Sequence, residues 1–206
     1  MKRLPYDQRL ARRLVRPLAR LGVTANQLTW ATLVLALLAA GLLATGDPAA
    51  CAWGAGLFAL SRFLDHFDGE LARLTGSSSK FGYYLDYVAG GLSYAALFAG
   101  IGIGLSDDDL GGWALLLAAA GAIAAIGSLF LNLELDRRSG LEDGEAIGYP
   151  GFAGFELEDG IYLIAPITWV GLLEPFFVAA GISATCYLIW TAVRVTRRKT
   201  EAPIRL

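Results

Sequence analysis

DHFDGELARLTGSSSKFGYYLDYVAGG, residues 65–91, joins the end of one long apolar run to the start of the next. It carries acidic residues where runs of that length avoid them. Asp65 and Asp68 are spaced i, i+3, so on a helix their carboxylates share a face, and Gly69 and Ala72 continue that face without bulk. Beyond the polar turn Gly76 to Ser79, Gly82 and Asp86 are spaced i, i+4 and again share one face. Arg62, Glu70, Arg73 and Lys80 complete the charges around this turn. At about 1.5 Å per residue, Asp65 lies roughly 24 Å along a helix that begins at Ala49, and Asp86 lies about one turn into the following helix. The three aspartates therefore reach one layer from two adjacent helices.

The rest of the chain supplies the surroundings. Of 206 residues, 55% are hydrophobic and 17% charged, and the mean hydropathy is +0.51, too apolar for one small soluble core. Six apolar runs, near 26–45, 49–73, 81–105, 110–133, 158–174 and 176–195, are each close to the length needed to cross about 30 Å of hydrocarbon. Gly46-Asp47-Pro48, Ser106-Asp107-Asp108-Asp109 and Glu174-Pro175 break the pattern, and Thr24 is placed to cap the first helix. The reading is an all-α polytopic membrane protein with six transmembrane helices, the first retained and not a cleaved leader. Cys51 and Cys186 lie in separate apolar runs and read as structural thiols.

With six spans, both termini and the breaks at 74–80 and 134–157 fall on one side. That side carries Lys2, Arg3, Arg9, Arg12, Arg13, Arg16, Arg20, Lys80, Arg137, Arg138, Arg194, Arg197, Arg198, Lys199 and Arg205. The opposite breaks hold only acids, so the positive-inside rule predicts cytoplasmic termini in an inner membrane and a site near the cytoplasmic face. Leu10, Leu14, Leu18 and Leu21 alternate with arginines, which predicts an amphipathic helix in the cytoplasmic headgroup layer. The domain division is thus 1–22, interfacial helix, and 23–206, six-helix membrane domain. Tyr83, Tyr84 and Tyr87 read as interfacial anchors. No nucleic-acid partner is expected.

Three convergent carboxylates suit a hard divalent cation, Mg²⁺ or Mn²⁺, completed by substrate phosphate, with Arg73 available to a phosphate oxygen. Two other readings share the same residues: a helix pair neutralised by Arg62 and Arg73, and an ion-coupled transporter.

The run from Asp65 resembles the motif D-x2-D-G-x2-A-R-x8-G-x3-D-x3-D of the CDP-alcohol phosphatidyltransferases. Asp65, Asp68, Gly69, Ala72, Arg73, Gly82 and Asp86 match it in type and spacing. The run VTANQLT at 23–29 is similar to the family's first-helix entry, with Ala25 where proline is more usual. The resemblance implies transfer of a phosphatidyl or phospho-alcohol group from a CDP-activated lipid or alcohol donor to an alcohol acceptor, with release of CMP. It implies that Asp65, Asp68 and Asp86 hold the metal, that Gly69, Ala72, Arg73 and Gly82 shape the nucleotide pocket, and that the protein is a homodimer among membrane lipids.

The family's last Asp, a metal ligand and the general base, falls here on Gly90. Gly90 offers neither function, so another group must act or the site binds without turnover. The candidates for the base are Glu70, Glu156, Asp159 and His66. Glu156 and Asp159 are spaced i, i+3 at the start of the fifth run, and His66 lies about 100° from Asp65 around the helix.

Overall fold

The computed structural model describes residues 14–138, 151–152 and 155–201, with side chains for 14–138 and 160–197. The basic leader through Arg13, the loop acids Glu142, Asp143 and Glu145, and Arg205 lie outside the described residues. The fold is all-helical except for two strands of two residues each, β1 (Gly151–Phe152) and β2 (Phe155–Glu156), paired antiparallel.

A short helix, α1 (14–20), leads into α2 (Ala25–Leu43). Thr24 caps α2 by accepting from the Gln27 amide, while the Gln27 side chain accepts from the Thr24 amide, a reciprocal box that fixes the helix start. Asp47 caps α3 (Pro48–Thr75), with Pro48 at the first helical position, where its missing N–H costs nothing. Gly76 ends α3 in the left-handed conformation, φ 66°. Ser79 caps α4 (Lys80–Gly104), and α5 (Gly112–Arg138) follows the acidic turn. These elements match the apolar runs because runs and caps agree on where each helix begins.

The fifth run behaves differently. Residues Leu157–Leu163 form a 3-10 helix, and only Ile164–Trp169 (α6) are α-helical. Pro166 sits inside the first turn of α6, and Gly171, at φ 79°, ends it. The break before α7 (Leu173–Glu201) therefore lies at 170–172, and Glu174-Pro175 belongs to the first turn of α7 instead of separating two helices. Among the described residues four helices are long and apolar enough to cross a membrane: Ala25–Leu43, Lys80–Gly104, Gly112–Arg138 and the Leu173–Arg197 part of α7. Helix α3 spans 28 residues but carries Arg62, Asp65, Asp68 and Glu70 in its second half.

Helix α2 packs along both α3 and α4, α5 covers α4, α7 covers α5, and α6 lies on α3. Ala36, Ala39, Leu43, Phe58, Leu97, Phe98, Ile101 and Phe177 fill the core. Much of the outer surface is apolar, including Trp53, Trp113 and Trp169 at the end of the bundle remote from Asp65, as expected for a membrane interface. The two cysteines are free, Cys51 buried and Cys186 exposed on α7, so only Cys51 is a core thiol.

The leucine stripe of α1 is divided. Val15, 1% exposed, packs with Phe67 and Leu71 of α3, with Leu18 and Ala19 beside it, while Leu14 and Leu21 stay exposed. Val15 and not Leu14 forms the anchor, because α1 turns the Val15–Leu18–Ala19 side toward α3.

Candidate metal centre

The described residues contain one group of metal-competent acids: an oxygen from each of Asp65, Asp68 and Asp86 lies within 4.8 Å of the others. Asp65 and Asp68 come from the last turns of α3, and Asp86 from the second turn of α4. Helices α3 and α4 touch each other little, and α2 holds them in register. Two hydroxyls of α2 reach the acids directly. Thr29 Oγ1 donates to Asp68 Oδ2 at 2.6 Å, and Thr32 Oγ1 lies 3.5 Å from Asp65 Oδ1. Both threonines are 2% exposed, so their hydroxyls are committed inside the bundle. On the other side of Asp65, Arg62 Nη2 pairs with Oδ2 at 2.9 Å, and the guanidinium stacks 5.0 Å above the Tyr94 ring of α4.

Three carboxylates at this separation, with the Thr29 hydroxyl orienting Asp68, fit a hard divalent cation, while the Thr32 hydroxyl donates to the Thr29 carbonyl at 2.9 Å. The alternative of a purely neutralised helix pair is met in part, by Arg62 and Asp65. Arg73 instead bonds Glu70 at 2.9 Å. That pairing occupies Glu70, 3% exposed, and holds the half-exposed Arg73 over Gly69, where an added Cβ would lie 3.4 Å from its Nη2.

The remaining motif positions differ in their constraints. At Gly82 a Cβ would come within 3.0 Å of Asn26 Oδ1, so glycine there admits the first turn of α2. Ala72, on α3, is half-buried. At Gly90 a Cβ meets nothing within 4 Å, so the position is open and a side chain would fit there without displacing a described neighbour. His66 and Glu70 are outside the carboxylate group. Glu156 ends β2 and Asp159 lies in the 3-10 helix, so they do not share an α-helical face as their spacing suggested.

Tyr83 and Tyr87 correct a second expectation. They do not serve only as interfacial anchors: Tyr83 donates to Asp136 Oδ2 at 2.8 Å, and the Tyr87 hydroxyl bonds the same oxygen. Tyr84, 55% exposed, keeps the interfacial reading. Asp136, 4% exposed near the end of α5, thereby ties the turn that carries Asp86 to its neighbour. Thr29, Thr32 and Asp136 went unrecognised as parts of this layer. The available signals were two hydroxyls at i, i+3 on an apolar helix, and a lone acid beside arginines opposite a Tyr pair at i, i+4. Asp136→Ala is expected to destabilise the detergent-solubilised protein by about 1.5–3 kcal/mol, since both phenols lose a charged acceptor; equilibrium unfolding measures it.

The sequence model of the family described as CDP-alcohol phosphatidyltransferase matches residues 22–144. An archaetidylinositol phosphate synthase of Pyrococcus horikoshii is 32% identical over 177 residues, covering 81% of this chain and 89% of that protein. Two crystal structures of the Mycobacterium tuberculosis phosphatidylinositol phosphate synthase have the same fold. One has CDP-DAG bound (TM-score 0.60, 22% identity, 93% of this chain and 92% of that one). The other is in complex with manganese and citrate (TM-score 0.59, 22% identity, 92% of this chain and 87% of that one).

Proposed function

The chain belongs to the CDP-alcohol phosphatidyltransferase family, and on that premise we propose that it is a membrane transferase of phospholipid synthesis. It moves a phosphatidyl group from a CDP-activated lipid to an alcohol and releases CMP. The observation that carries this reading is the meeting of Asp65, Asp68 and Asp86, all at motif positions, from two helices that α2 holds in register. The CDP-DAG bound to the mycobacterial relative supports a lipid donor, and the manganese of its second structure supports a divalent cation. The named relatives are an archaetidylinositol phosphate synthase and a phosphatidylinositol phosphate synthase, so a phosphorylated inositol is the first acceptor to offer.

When bound at the three aspartates, Mg²⁺ or Mn²⁺ supplies charge neutralisation to the donor diphosphate. Thr29 holds Asp68 in orientation, and Arg62 holds Asp65. Gly69, Ala72 and Gly82 keep the nucleotide side free of bulk, and Glu70 holds Arg73 where it can meet a phosphate oxygen. Glu70 is thereby spent, which leaves Glu156 and Asp159 as the favoured acid–base candidates. Trp169 Nε1 donates to the Ala52 carbonyl near the start of α3, so the segment runs back along α3 and returns the 3-10 helix toward the Asp65 level. We further propose six membrane-crossing segments, the fifth made by the 3-10 helix and α6. Residues 1–22 lie at the cytoplasmic face, both termini are cytoplasmic, and the protein is a homodimer in the inner membrane.

Gly90 favours one second reading, a relative that binds metal and CDP-lipid without turnover. The two separate in one assay: CMP release by the purified protein from CDP-diacylglycerol with Mn²⁺ and a panel of alcohols led by inositol phosphate. Release that EDTA abolishes is expected. Metal-dependent CDP binding without release from any acceptor would favour the second reading.

A further inference from the structure

We propose that Asp136 is a positioning residue for the metal centre. Through the hydroxyls of Tyr83 and Tyr87 it sets the direction in which α4 presents Asp86, and so the affinity of the three aspartates for a divalent cation. The inference rests on the metal-dependent reading above.

Three observations carry it. First, Asp86 meets Asp65 and Asp68 across a helix pair that touches little, so the other neighbours of α4 set its place. Helix α4 packs most extensively on α5 and next on α2. Second, several of those contacts are made by glycine: Gly82 against Asn26, Gly100 against the Ala40 carbonyl, and Gly91 against Leu129. They set how closely the helices approach, but a glycine has no side chain to key the rotation of α4. Third, two side chains beside Asp86 do supply that key. Tyr83 and Tyr87 stand three residues before Asp86 and one after it, at about 60° and 100° around the helix. Tyr83 donates to Asp136 Oδ2 at 2.8 Å, and the Tyr87 hydroxyl bonds the same oxygen. The two rings meet edge to face with centroids 5.0 Å apart.

Asp136 is itself firmly held. It is 4% exposed, and two residues later Arg138 donates to the Val195 carbonyl of α7 at 2.8 Å while pairing with Glu134 at 2.6 Å. The last turn of α5 is thus tied to α7, and the phenols extend the tie to α4. The lever is long. A helix with its side chains is about 10–12 Å across, so a twist of about 20° moves the Asp86 carboxylate by about 2 Å. That is a whole metal–oxygen bond, whereas a site holds its ligands to within about 0.2 Å.

The test measures Mn²⁺ affinity of the full chain in detergent, without substrate and below the unfolding temperature, by electron paramagnetic resonance of free Mn²⁺ and by calorimetry. Asp136→Ala should bind about tenfold more weakly than native, the lower end of the range for direct hydrogen-bond partners of metal ligands. Asp136→Asn keeps a carbonyl oxygen able to accept from both phenols and should stay within about threefold of native. Tyr83→Phe with Tyr87→Phe should reproduce the loss, and adding Asp136→Ala should deepen it no further, because all three act through one contact. Phe177→Leu opens a cavity where Phe177 meets Phe98, about 18 Å along α4 from Asp86. It should stay within about twofold of native, which separates positioning from lost stability. Native affinity in a folded Asp136→Ala, no recovery in Asp136→Asn, losses that multiply on combination, or an equal loss in Phe177→Leu would each overturn the proposal and leave the metal-dependent reading standing. No Mn²⁺ on the native chain would defeat that reading and the proposal with it. The tyrosine pair removes only two oxygen atoms, so it decides the question where Asp136→Ala fails to fold.

Discussion

Asp68→Asn lowers metal-dependent CMP release by well over about a hundredfold while leaving the helices in place. The asparagine side chain keeps an oxygen for the Thr29 hydroxyl, which now stands 2.6 Å from Asp68 Oδ2, so the α2–α3 contact survives. It also relieves repulsion between two acids on one turn. What it removes is an anionic ligand at the most buried position of the three, 6% exposed, where no solvent oxygen substitutes cheaply. Thr29→Val sets the scale: losing only the hydrogen-bond partner of a metal ligand should cost about 10–100-fold. A thermal-shift titration gives an independent readout. Mn²⁺ should raise the unfolding temperature of the native protein, because a ligand that binds only the folded state stabilises it, and should not raise that of Asp68→Asn. Equal activity in Asp68→Asn and native protein would defeat the metal-centre assignment.

The second large effect is expected at a position without any chemistry. A Cβ built on Gly104 of α4 overlaps the Leu43 carbonyl oxygen of α2, and one on Gly100 overlaps the Ala40 carbonyl. Backbone meets backbone there, so no rotamer can give way. Gly104→Val should cost about 3 kcal/mol, near the upper range for overpacking a core. The damage extends beyond stability. Helix α2 holds Asp68 through Thr29, and α4 carries Asp86, so parting α2 from α4 parts the site. Mn²⁺ affinity should fall about tenfold in the folded fraction. Gly41→Ala provides the control, since nothing lies within 4 Å of that position and the helix gains about 1 kcal/mol of propensity. Native Mn²⁺ affinity in Gly104→Val would mean that α2 does not set the register.

Much of this was legible in the sequence. Long apolar runs bounded by Thr24, Asp47-Pro48 and Gly76 predict helices whose observed ends differ by a few residues, because desolvation and capping act locally. The Asp65–Asp68 pair and Asp86 were also visible, since helical spacing alone decides which side chains share a face. The fifth run misled for an equally local reason. Its composition is apolar, but Pro166 and Gly171 leave room for only a short α6 between a 3-10 helix and a turn.

The sequence by itself determined an all-helical membrane fold, the layer at which acids gather, and the loss of the last motif carboxylate at Gly90. Only the tertiary structure decided which neighbours those acids have. Thr29 lies 39 positions from Asp68, Asp136 meets Tyr83 across 53 and Tyr87 across 49, and Arg62 crosses from α3 to rest on Tyr94 of α4. Such pairings have no periodicity to betray them. They arise because α2 is wedged between α3 and α4, and α5 laid against α4, by glycine contacts, and that close approach is a property of the packed bundle, not of any one helix.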